Sequence, residues 1–202
     1  MDNIQINQWR RLEYHDPERV LRHLDDIQIA IADSPIDDKV KNLRTNTLKA
    51  HKEGREAALF CHGLGKAVLN RKVYFSLHEK DDYDFIACWQ DQAALVFTPV
   101  QLKEVVPLQI NPETTLMDEI AKLAKYADSQ NLVVAVYLNR TGRLNVKEII
   151  VPDLNIAELW FFGAVSEDRS RWFLMGDLLG ENHYYEFDYP NGEEQRLADS
   201  GE

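Results

Sequence analysis

Two neighbouring stretches decide how this chain is read: Tyr83-Asp84-Phe85-Ile86-Ala87-Cys88-Trp89 and, one short turn later, Val96-Phe97-Thr98-Pro99-Val100-Gln101-Leu102-Lys103. Both are rich in β-branched and aromatic residues, so each predicts a strand, and the few residues between them leave room only for a hairpin. Side chains alternate along a strand, so Gln101 and Lys103 share one face while Val100 and Leu102 share the other. A turn centred between Gln92 and Ala93 sets Asp84 opposite Gln101, with Cβ atoms roughly 4.5–5.5 Å apart. A slip of one residue exchanges the faces of one strand, and the loop Gln90 to Ala94 has no Asn-Gly or Asp-Gly to pin the register. In the unslipped register a carboxylate, an amide oxygen and an ammonium meet. These are parts for a hard divalent cation: Asp84 the anionic ligand, the Gln101 carbonyl a neutral one, and Lys103 the charge beside an attacking water.

The rest of the chain bounds this reading. Its 202 residues, 45% of them apolar, suffice for a single domain (1–202) with a sizeable core. No apolar run approaches the 18 or so residues of a membrane span, and Met1-Asp2-Asn3-Ile4-Gln5 lacks the character of a signal peptide, which predicts a cytoplasmic protein with no membrane association. Cys61 and Cys88 form no Cys-x-x-Cys pair, so neither a disulfide framework nor a structural zinc site is expected. A net charge of −11 disfavours a general nucleic-acid binder, yet Lys39 to Lys72 holds nine basic residues against Glu53 and Glu56, a local +7 set against −18 elsewhere. That segment is a candidate DNA-facing surface, with a solvated basic helix face as the equally good alternative.

Along the chain, residues 1–38 read as an N-terminal helical region. Asp16-Pro17-Glu18 has the form of an N-cap, a proline in the first turn and an early acid, and Val20, Leu21, Leu24, Ile27 and Ile31 supply the apolar stripe of the helix that follows. A second, more polar helix is predicted from about Asp38 to about His62, stopped by Gly63 and Gly65. Lys72 to Leu77 is the next strand, so the hairpin completes a run of three. Asn111-Pro112-Glu113 repeats the cap signal ahead of a helix carrying Leu116, Ile120, Leu123 and Ala127. Leu132 to Leu138 is apolar throughout, as in a strand covered on both faces, which predicts a crossover into parallel pairing. Residues 39–140 thus form an α/β core with a mixed sheet flanked by helices. Residues 141–190 add strands at Leu159 to Val165 and Arg171 to Met175, joined by the loop Ser166 to Ser170, and 191–202 read as a frayed acidic tail.

Helix, three strands, helix, strand, with an Asp on the second strand and Gln-x-Lys on the third: in this order the chain resembles the PD-(D/E)XK nuclease superfamily, the restriction-endonuclease-like fold, over roughly Lys49 to Leu138. The resemblance implies that Asp84, Gln101 and the Leu102 backbone carbonyl hold Mg²⁺ or Mn²⁺, that Lys103 orients the water, and that a helix carboxylate supports them. Glu56 is the best match for that carboxylate and Glu53 the second. Tyr83 stands where the family commonly has Pro, and Gln101 replaces an acidic ligand, as in the endonuclease subunit of certain bacterial transposons. Bland roles exist for each residue: a solvated turn for Asp84 after Asp81 and Asp82, an edge-strand lysine for Lys103, an interstrand hydrogen bond for Gln101, and an i,i−4 pair with Lys52 for Glu56.

Two functions follow as expectations. One is metal-dependent hydrolysis of phosphodiester bonds in DNA; the other is a catalytically inactive nuclease-fold module that acts through a protein partner or a second copy. Other chemistries are poorly supported. Gly63-Leu64-Gly65-Lys66-Ala67 lacks the first glycine and the Ser or Thr of a phosphate loop, the six histidines show no His-x-x-x-His spacing, and Gly-x-Ser-x-Gly is absent. Trp160, Phe161, Phe162, Trp172 and Phe173 read as core or interface rather than as a base-stacking platform.

Overall fold

The computed structural model describes residues 3–190 apart from 42, 81, 127–128, 141, 143–144 and 146–148, so the tail at 191–202, Asp81 and Ala127 lie outside the described residues. A short helix α1 (Asn3–Trp9) precedes α2 (Pro17–Ile31), which starts where the cap signal places it: Asp16 Oδ1 accepts the Glu18 N–H at 3.0 Å. Leu21 anchors the buried stripe of α2, whereas Ile27, counted on that stripe, is 54% exposed.

The single helix expected from Asp38 to His62 is instead divided. It becomes α3 (Asp38–Lys41), a 3₁₀ turn (Asn46–Leu48) and α4 (Lys49–Gly63). Leu43 takes a left-handed φ of +56° between them, a conformation no α-helix continues through. α4 does end at Gly63, as expected, but neither glycine turns the chain out of its helical path: it runs on as a π-helical segment (Leu64–Leu69) and turns at Asn70, with φ +48°. These glycines serve close packing. A Cβ on Gly63 would lie 2.5 Å from Phe187 Cε1, and one on Gly65 would lie 2.6 Å from the Arg71 carbonyl oxygen.

Seven strands form one mixed sheet whose spatial order is the chain order: β1 (Val73–Lys80), β2 (Tyr83–Asp91), β3 (Ala94–Val105), β4 (Ser129–Leu138), β5 (Ile156–Ala164), β6 (Arg171–Gly176) and β7 (His183–Asp188). The α/β class with a mixed sheet is therefore as expected. β1, β2 and β3 pair antiparallel, β3–β4 and β4–β5 are parallel, and β5, β6 and β7 are antiparallel again. Between β3 and β4 the chain passes through α5 (Leu116–Ala121) and a 3₁₀ segment (Lys122–Lys125). The cap of α5 is Thr115, in a reciprocal capping box with Asp118, while Asn111 only turns the chain, its Oδ1 accepting from Glu113 N–H at 3.1 Å and Thr114 N–H at 3.3 Å.

Alternation sorts the core onto two faces of this sheet. Phe85, Val100, Leu102, Ala135 and Phe162 lie with Leu21, Leu59 and Phe60 of α2 and α4. Ile86, Phe97, Val134, Val136 and Phe161 lie with Trp9, Ile120 and Leu123. Burying one such ring or branched side chain contributes about 1.5–3 kcal/mol, so each face is a substantial layer in its own right. No helix among the described residues is long and apolar enough to cross a membrane.

Candidate functional site

The β2–β3 register is the one that the hairpin argument needs. Phe85 pairs with Val100, Trp89 with Val96 and Asp91 with Ala94, so the turn is Gln92-Ala93 and Asp84 stands level with Gln101. Gln92 supplies the left-handed residue of this tight turn, with φ +51°.

At Asp84 the β2–β3 ladder ends, and the side chain takes over from the backbone. Asp84 Oδ2 accepts the Leu102 N–H at 2.7 Å. The Gln101 side-chain amide Nε2 donates to the same Asp84 oxygen and, at 3.0 Å, to the Leu102 carbonyl. Its Oε1 accepts the buried Tyr126 hydroxyl at 2.8 Å, so every atom of the 7% exposed carboxamide is committed. Lys103, on the same face of β3, holds its ammonium 5.7 Å from the centre of the Tyr126 ring. Burial raises the Asp84 carboxyl above the ordinary carboxylate range, while the Leu102 N–H and Lys103 pull it down.

The four hairpin positions Asp84, Gln101, Leu102 and Lys103 are thus brought together, but the helix carboxylate does not join them. Glu56 lies on the α4 side of the sheet, where Lys52 Nζ approaches its Oε1 to 3.6 Å, and Glu53 pairs with Lys49 at 3.3 Å. The i,i−4 pairing is the role the structure gives Glu56. Its true companion is a residue the sequence reading passed over: Glu104, one step beyond Lys103 and on the opposite face of β3. Glu104 accepts from Lys52, from Arg44 at 2.7 Å and from Asn139 at 2.7 Å. Burial opposes its charge, but these donors hold its carboxyl below the ordinary range. Glu56 has no such donors. Burial lifts it to about 7, with Lys52 opposing and Glu104 adding to the rise.

The donor set at the hairpin is a poor fit for Mg²⁺ or Mn²⁺. A cation there needs oxygen atoms directed at one point, whereas the point between Asp84 Oδ2 and the Leu102 carbonyl faces the Gln101 NH₂ group. The Gln101 oxygen, expected as a ligand, faces Tyr126. Among the described residues no group of three or more His, Cys, Asp or Glu side chains is placed to hold a metal ion.

The basic segment is also largely neutralised within the fold. Lys49 meets Glu79, Lys66 meets Glu18 at 3.0 Å, Arg71 meets Asp91 at 2.6 Å and Lys72 meets Asp16 at 2.7 Å, in addition to the Arg44 and Lys52 pairs with Glu104. Comparison with protein-family models, with curated proteins and with solved structures yields no match.

Proposed function

We propose that this chain is a nuclease-like α/β module, of the PD-(D/E)XK kind, that acts by binding a protein partner in the cytoplasm rather than by hydrolysis. The observation that carries this reading is the Gln101 amide: its NH₂ group bridges the Asp84 carboxylate and the Leu102 carbonyl, the two groups a cation would have to share. An N–H donor there does internally what a metal would do, satisfying a half-buried carboxylate, and it makes the site a structural element. The element order helix, three strands, helix, strand and the parallel β3–β4 pairing support the fold likeness. The net charge of −11 and the internal pairing of most of the basic segment support a partner other than DNA.

A second reading, metal-dependent cleavage of DNA, is favoured by one specific observation: Asp84, Gln101 and the Leu102 carbonyl already converge on one point, with Lys103 adjacent. One experiment separates the two. Wild type, Gln101→Glu, Asp84→Ala and Lys103→Ala are titrated with Mn²⁺ by calorimetry and incubated with plasmid and single-stranded DNA in Mg²⁺ or Mn²⁺ at low salt. The binding reading expects no cleavage by wild type, and Mn²⁺ affinity that appears only in Gln101→Glu. Cleavage by wild type that Asp84→Ala and Lys103→Ala both lose would establish the enzyme instead.

A further inference from the structure

On the far side of the molecule, between α2, α4 and the β6–β7 hairpin, lies a cavity of about 710 Å³. That size falls within the range of small-molecule sites. Its apolar wall is Leu59, Trp172 and Phe187. Two arginines line it from different elements, Arg55 from α4 and Arg169 from the β5–β6 loop. Among the described residues neither side chain makes a hydrogen bond or a close ion pair, although the Arg55 charge acts on the Glu56 carboxyl, and the Arg55 Nε is buried with no acceptor. Both act on one point: burial raises the phenol of Tyr137, and the charges of Arg55 and Arg169 oppose that rise.

Arg55 is half-buried, and its Nε, shut off from water without an acceptor, is costly because the lost hydration is not replaced; Arg169 is exposed at the rim. Three of the five acids that line the cavity, the others being Asp25 and Asp188, are engaged elsewhere. Glu18 is engaged by Lys66 at 3.0 Å, Glu186 by Arg171 at 2.8 Å, and Asp168 is held by its own loop, accepting from Ser170 Oγ at 2.8 Å and Ser170 N–H at 3.0 Å. That same loop fixes Arg169 in a conformation unfavourable for a residue with a Cβ, φ +59°. The Arg169 N–H donates to the Ser166 carbonyl at 3.1 Å, and the Arg169 carbonyl accepts the Trp172 indole N–H at 2.8 Å. Strain retained by so many local bonds gathers at binding sites, where it presets a side chain.

We propose that this cavity binds a small organic anion, its phosphate or carboxylate group held between Arg55 and Arg169 and its flat apolar part against Phe187 and Tyr189. Planar guanidinium forks suit both oxyanions, and the cavity is far larger than the anion head alone. The site is on different residues from the hairpin and is independent of whether the hairpin holds a metal.

The test titrates the full chain with inorganic phosphate, phenyl phosphate and benzoate at constant ionic strength, with chloride as reference, by thermal unfolding and calorimetry. At about a hundredfold excess over Kd, a bound anion should raise Tm by roughly 5–10 °C for a domain of this length. Phenyl phosphate should bind more tightly than phosphate if the apolar wall is used, and the ratio of phenyl phosphate to benzoate identifies the head group. Arg55→Gln and Arg169→Gln should each weaken binding roughly tenfold or more, while Arg71→Gln, whose partner is Asp91, leaves it unchanged. Arg169→Lys serves where a Gln variant fails to fold, and should weaken binding by losing the fork while keeping the charge. No shift beyond chloride with any of the three anions, or affinity retained in both Gln variants, overturns the proposal.

Discussion

Replacing Glu56 by Gln should stabilise this protein at pH 8 and do much less at pH 5. The side chain is buried, its Oε1 has no hydrogen bond among the described residues, and the nearest cation, Lys52, is 3.6 Å away and already bound to Glu104. Burial leads the causes that lift its carboxyl from 4.5 to about 7. A carboxyl with a folded-state pKa above its unfolded one binds more protons when native. Its burial therefore costs nothing well below pH 4.5, the cost grows as pH rises through this window, and it is complete above about 7. The complete cost is about 3 kcal/mol, of which less than about 1 kcal/mol is present at pH 5. A neutral amide of the same shape escapes it. The advantage of Glu56→Gln over wild type should then widen by on the order of 2 kcal/mol from pH 5 to pH 8, which is roughly 4–8 °C in Tm. Urea and thermal unfolding followed by circular dichroism at both pH values measure it. A difference that stays flat with pH, or one largest at pH 5, would refute the reasoning and return Glu56 to the list of groups charged for a purpose.

Lys52→Met should cost about 3 kcal/mol at pH 8, because it strips the shared cation from Glu56 and Glu104, and less at pH 5, where Glu56 is protonated; urea denaturation at the two pH values reads both. Tyr126→Phe removes the hydroxyl bonded to Gln101 Oε1 and leaves a buried acceptor, with an expected loss of about 1–2 kcal/mol on the same assay. Gly65→Ala forces a Cβ to within 2.6 Å of the Arg71 carbonyl, so a loss of about 1–3 kcal/mol should follow; an unchanged midpoint would mean that the π-helical segment shifts freely.

The hairpin was legible because two residues of turn between two strands allow few registers, and Asp91 opposite Ala94 carries that register back to Asp84. What the Gln101 carboxamide does was not legible. The orientation of its oxygen is set by Tyr126, which is 25 residues downstream and arrives only after the α5 crossover. Glu104 had a signal that went unused: an acid on the helix-facing side of a strand, with Lys52 and Glu56 one helical turn apart on α4. Segment charge, counted along the chain, leaves out the acids that the fold brings in. The +7 of Lys39 to Lys72 looked like an open face, but Asp16, Glu18, Glu79, Asp91 and Glu104 are brought to it from elsewhere in the chain. β7 escaped notice because Phe187 is its one fully buried residue, so His183 to Asp188 has no apolar alternation to reveal it.

The identity of spatial and chain order in the sheet has a consequence for synthesis. Each strand, as it leaves the ribosome, finds its partner already made, and none must wait for a later segment before it can pair. The helical layer is different. Gly63 packs on Phe187, the Tyr189 hydroxyl donates to the Leu21 carbonyl at 2.9 Å, and the His62 ring bonds the Asp188 carbonyl at 3.1 Å. The nascent chain thus carries α2 and α4 unsealed until the last hairpin emerges, and a chain halted before β7 holds six of the seven strands beneath an unfinished helical layer.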